Sequence, residues 1–190
     1  MDVFELLYDY FEDRAHAAAL IRQRRPYALG LLGILIGGAG LFCAQALADR
    51  LVFLSFSWPS LLVALLWRTG VLFAFAALLH MVLDMSGARG DGGALFVHLG
   101  LSELAWMAAV PALLIFQALF PHSPWPARLT FFAVGLWSLA LKARAMRDEY
   151  AVGEGRAWLT LLLPGLALAG LAALSTTLAL ASLVVKAFSS

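Results

Sequence analysis

An all-α, polytopic helical membrane protein is the fold class this sequence predicts: five transmembrane helices behind an N-terminal amphipathic cytoplasmic helix. Five apolar stretches, at about 27–48, 61–83, 97–120, 125–141 and 158–185, are separated by short polar joints. A helix rises ~1.5 Å per residue and the hydrocarbon core is ~30 Å thick, so about 20 apolar residues make one crossing. Composition agrees, with 63% hydrophobic and 13% charged residues and a mean hydropathy of +0.88, against roughly 25% charged in a soluble domain. The runs 29–41 and 159–173 are apolar on nearly every face, with Gly and Pro inserted. That is a helical pattern, because a barrel would alternate apolar and polar residues in runs of about ten. Residues 1–25 form the cytoplasmic helix and 26–190 the five-span membrane domain, leaving no length for a soluble catalytic domain.

In the first 25 residues Phe4, Leu7, Tyr8, Phe11, Ala15 and Ala18 recur at three- and four-residue steps, giving one apolar stripe. Asp2, Glu5, Asp9, Glu12 and Asp13 cover the other side. A helix made for anionic lipid would be basic there. This one is expected to dock on its own chain or to offer Phe4, Leu7 and Phe11 to a partner. It has neither the basic start nor the small-residue cleavage site of a signal peptide, and Arg22, Arg24 and Arg25 end it before the first span.

The first span carries Gly30, Gly33, Gly37, Gly38 and Gly40. Gly33 and Gly37 make one GxxxG step, expected to pack helices within the monomer rather than between copies. Cys43 stands alone, excluding an internal disulfide and any CxxC motif. In the second span Arg68 lies seven residues in, ~10 Å below the outer surface by helical rise. An intramembrane charge snorkels, pairs, or marks a pathway. Asp49 is the better partner by depth and Glu103 the other candidate.

The third and fourth spans are short by charge. Only 105–120 is charge-free in the third, so crossing requires a start near Val97 and draws Glu103 inside. The fourth has 13 residues between Arg128 and Lys142, and crosses if both ends snorkel with Trp125 and Trp137 near the interfaces. Otherwise a re-entrant hairpin around Pro121, Pro124 and Pro126 leaves three crossings. The joint 84–93 holds Gly87, Gly90, Gly92 and Gly93 and reads as a turn, since it lacks the Lys-Ser/Thr of a phosphate loop. The polar joint 142–157 supplies Asp148, Glu149 and Tyr150 to a partner face.

His80, Asp84, His98 and Glu103 flank the joint between the second and third spans. His98 and Glu103 are five apart, off the spacing of a helical metal pair. HExxH, GxSxG and P-loop patterns are absent. No catalytic residue, cofactor or metal is expected. With the N-terminus in the cytoplasm, Arg14, Arg22, Arg24, Arg25, Arg89, Lys142, Arg144, Arg147 and Arg156 are inside, and Arg50, Arg128 and Lys186 outside. That asymmetry predicts N-terminus in, C-terminus out. The excess of Arg over Lys, eleven to two, points to a GC-rich bacterial genome and hence to a bacterial inner membrane.

From His80 onward the chain resembles the Yip family, the Ypt/Rab-interacting membrane proteins with bacterial relatives. The resemblance rests on His80 closing a span, the Gly92-Gly93 pair followed by Phe96, and Pro111 within the next span. It continues with Gly135-Leu136-Trp137, Tyr150, the stretch 153–157 and Pro164. It implies a cytoplasmic N-terminus and five closely spaced helices. Eukaryotic members carry an aspartate-leucine-tyrosine-glycine-proline segment before the first span. Here Arg25-Pro26-Tyr27 is the only Pro-Tyr neighbourhood, so the resemblance does not extend to Rab binding.

The expected function is that of a non-enzymatic membrane organiser that recruits or stabilises membrane or cytoplasmic proteins. The alternative is a small transporter or lipid-handling permease component using Arg68 and Glu103. Expected partners are the lipid bilayer, protein partners and, as one option, a second copy of the chain, with no nucleic acid.

Overall fold

In a computed structural model, residues 8–10, 12, 14–51, 54–121 and 123–189 are described. All their regular elements are helical: α1 (Arg14–Arg24), α2 (Tyr27–Leu47), α3 (Trp58–Met85), α4 (Gly92–Ser102), a 3₁₀ turn (Glu103–Ala108), α5 (Ala109–Leu119), α6 (Trp125–Tyr150) and α7 (Glu154–Ser189). Helix continues from α4 through the turn into α5, which makes five helices long and apolar enough to cross a membrane.

The third and fourth spans are both full length. Gly92–Leu119 runs 28 residues and Trp125–Tyr150 runs 26, ~42 and ~39 Å of helix against a ~30 Å core. The third gains its length at the front, where the Asp91 carboxylate accepts the Ala94 N–H at 2.9 Å and caps α4. By length and composition each can cross, which favours five spans over the re-entrant hairpin. The joint expected over 142–157 is also revised, because α6 continues to Tyr150 and turns at Ala151, whose φ is +50°. Ala143, Met146 and Tyr150 lie on one face of that extension and enter the core, while Arg144, Arg147 and Asp148 stay exposed.

The third span lies at the centre. Helix α2 packs along α4, the turn and α5, α3 packs on α2 and α4, and α6 closes the other side. Helix α7 leans chiefly on α6, with a smaller contact to α3. It buries Ala157, Thr160 and Leu161, and its described side chains are largely exposed beyond them.

The glycines of α2 set the central approach. A Cβ on Gly33 would lie 2.5 Å from the Gly100 carbonyl oxygen, and one on Gly37 would overlap the Glu103 carbonyl. Gly30 faces the Val97 backbone, at 2.8 Å, and Gly40 the Met107 backbone. This seam, on one helical face, is a contact within the monomer. The 3₁₀ turn has a local cause in Pro111, two residues into α5. A proline lacks the N–H that would bond the carbonyl four residues back, and its ring crowds that carbonyl, here Met107 inside the turn.

Helix α1 docks on α4 and α6 through Ala17 and Ile21, which, with Tyr10 ahead of the helix, are buried with Leu29, Ala94, Val97 and Leu101. Of the predicted stripe, the described side chains are those of Tyr8 and Ala18, and Ala18 is half-buried. Tyr8, placed on the apolar face, is 65% exposed, and Ile21, left out of it, is fully buried. Phe4, Leu7 and Phe11 lie outside the described residues.

Candidate functional site

Two clusters of polar side chains are built by this packing, one inside the spans and one at the end of the bundle that carries α1.

Inside the spans, Glu103 is 2% exposed and lies between two cations. Arg68 of α3 donates Nε to Glu103 Oε2 at 2.9 Å and makes a second, shorter contact through Nη2. Lys142 of α6 places Nζ 2.6 Å from Glu103 Oε1 and donates to Ser138 Oγ at 2.8 Å. The cluster ties α3, the third span and α6 together at the start of the 3₁₀ turn. A carboxylate at this depth is tenable only when paired and hydrogen-bonded, and both its oxygens are engaged. The Arg68 guanidinium also stands 5.8 Å from the centre of the Trp106 ring.

The expected Arg68–Asp49 pair is not formed. Asp49 is exposed at the far end of α2 with φ +52°, whereas the glycine seam draws the Glu103 backbone against α2 and beside Arg68. Lys142, expected to snorkel to water, points inward instead. Its phase on α6 matches the buried Thr130, Val134 and Ser138, and the Ser138–Lys142 i,i+4 step was the signal that could have placed it.

At the α1 end, Glu149 is 2% exposed and anchors a second network. Its Oε1 accepts the Asp91 N–H at 2.9 Å, and Arg22 approaches at 3.4 Å while donating to the Asp148 and Glu149 carbonyls at 3.2 and 3.0 Å. Arg25 pairs with Asp91 at 2.5 Å. His80 Nδ1 lies 2.6 Å from the Tyr150 hydroxyl. A Cβ on Gly90 would strike the Tyr150 ring, at 2.6 Å, and one on Gly92 the His80 ring, at 2.9 Å. A groove of about 530 Å³ opens here, lined by Arg25, Tyr27, Phe73, His80, Gly93 and Phe96 among others. Near the start of α1 the Tyr8 phenol is held above its ordinary pKa, by its hydrogen bond to Glu12, by partial desolvation and by Asp9.

Of the residues expected on a partner face, Glu149 and Tyr150 are buried and belong to these internal contacts, and Asp148 is exposed. Burial follows from the helical continuation of α6, which turns both side chains toward α3 and α4. From sequence, Arg22 reads only as part of the basic stop before the first span, and nothing local pairs it or Asp91 with Glu149. His98 is also buried beside Tyr10, with Nε2 lacking a hydrogen-bond partner among the described residues.

Fold and charge placement define a multi-pass helical membrane protein. Comparison with protein-family models, with curated proteins and with solved structures returns no significant match.

Proposed function

We propose that this chain is a non-enzymatic membrane organiser of the Yip type, with its N-terminus in the cytoplasm of a bacterial inner membrane, and that it recruits or stabilises protein partners on the α1 face. The observation that carries this reading is the Arg22–Glu149–Asp91–Arg25 network. It clamps three segments distant in sequence into one platform, from which Arg24, Arg144, Arg147, Asp148 and Glu154 project as exposed charges. A platform already ordered loses little side-chain and loop entropy on association, and mixed charge favours choice of partner and orientation. The meeting of His80, Gly92 and Phe96 in one groove, with Tyr150 bonded to His80, supports the resemblance that the sequence carries.

The test is crosslinking in native membranes followed by identification of neighbours. Arg144→Glu and Asp148→Lys alter the platform without touching its buried clamp. They are expected to lose specific neighbours while unfolding at the native temperature. An unchanged set of neighbours overturns the reading.

A second reading, a lipid- or solute-handling component using Arg68 and Glu103, is favoured by a cavity of about 350 Å³ between α2 and α3 that reaches Arg68.

A further inference from the structure

The interior cluster holds one carboxylate and two cations, Arg68 and Lys142. It therefore carries one excess positive charge at a depth where charge is costly. Both nitrogens that Arg68 commits, Nε and Nη2, go to the same oxygen of Glu103, and Nη1 has no acceptor among the described residues. Arg68, 25% exposed, lines a cavity of about 350 Å³ between α2 and α3. Gln45 lies in the same lining, and its side-chain amide makes no hydrogen bond among the described residues. Leu41, Phe42, Val63 and Trp67 supply apolar wall, and Val63 and Trp67 are exposed on the bundle surface, so the cavity opens sideways toward lipid.

We infer that this cavity binds a long-chain carboxylate, its head on Arg68 Nη1 and Gln45 and its tail along the apolar wall. The ligand's negative charge brings the cluster to neutrality, two cations against two carboxylates. Planar guanidinium recognises a carboxylate by charge-assisted hydrogen bonds. Depth selects the carboxylate over a phospholipid head. Arg68 is ten residues beyond Trp58, the first residue of α3, or ~15 Å of helix. A carboxyl group can cross apolar surroundings as the neutral acid, because desolvation raises its pKa, whereas a phosphodiester stays ionised. Binding as the anion releases that proton to the aqueous phase.

This inference gives the second functional reading its ligand class, but it requires binding only. A protein that binds the carboxylate and moves nothing keeps the inference and loses the transport reading.

The experiment uses full-length protein in phosphatidylcholine nanodiscs and a diazirine-bearing palmitate, with labelled positions mapped by peptide mass. Label is expected on α2 and α3 near Phe42 and Trp67. Palmitate should displace it at least about tenfold better than methyl palmitate, since a hydrogen bond to a charged group is being removed. Gln45→Leu should weaken labelling several-fold at an unchanged unfolding temperature, and Arg68→Leu, which leaves a neutral Glu103–Lys142 pair, should abolish the preference for acid over ester. Equal displacement by the methyl ester overturns the inference. So does displacement by phosphatidylglycerol as effective as by palmitate, or label that maps away from α2 and α3.

Discussion

Removing the Glu103 carboxylate should destabilise the protein far more than removing either of its cationic partners. In Glu103→Gln the side chain keeps its size but Arg68 and Lys142 are left facing each other without a counter-charge, one 25% and the other 11% exposed. Breaking a buried ion pair from one side leaves an uncompensated charge and costs ~3–5 kcal/mol. For a chain of this length each kcal/mol moves the unfolding temperature by ~2–4 °C, so a fall of roughly 10 °C is expected. Lys142→Met does the opposite to the local charge. Glu103 keeps Arg68, the cluster passes from one excess positive charge to zero, and the loss should be about 1 kcal/mol or less. Thermal unfolding of the purified variants in one detergent, followed by circular dichroism, measures both. If Glu103→Gln unfolds at the native temperature, or Lys142→Met falls as far as Glu103→Gln, the charge count at this site is wrong.

Three further outcomes follow from the packing. Gly37→Leu must push α2 off the Glu103 backbone and should lose ~3 kcal/mol or more, whereas Gly70→Ala, with nothing within 4 Å of the added atom, should gain ~0.5–1 kcal/mol. The same unfolding assay compares them. Arg22→Ala should speed amide exchange in 14–24 and leave α2 to α6 protected, which hydrogen exchange with mass spectrometry reads directly. Glu149→Lys should lose at least ~3 kcal/mol by burying a cation beside the Asp91 N–H, while Asp148→Lys stays within ~0.5 kcal/mol of native.

Legibility in the sequence divides along a physical line. The five long apolar helices were legible because lipid demands apolar length, and hydropathy measures length well. Which polar side chain meets which was not, since partnership depends on helix rotation and depth. Arg68 was recognised as costly, yet Asp49 was chosen by depth alone, because nothing local revealed that the α2 glycines bring Glu103 against that helix. The end of α6 was misread as a joint since charge density was weighed ahead of period. Ala143, Met146 and Tyr150 repeat at three and four residues through Arg144, Arg147 and Asp148, and that period carries the helix on.

Accessibility of single cysteines separates five crossings, with the α1 end in the cytoplasm, from a re-entrant or inverted arrangement. In a Cys43→Ala background, the exposed positions Ser55, Arg89, Ser123 and Gly155 are each replaced by Cys and challenged in intact cells with a membrane-impermeant thiol reagent. The account predicts that Ser55→Cys and Ser123→Cys react from outside, and that Arg89→Cys and Gly155→Cys react only after permeabilisation. Protection of Ser123→Cys together with Arg89→Cys and Gly155→Cys, or the inverse pattern throughout, would contradict it.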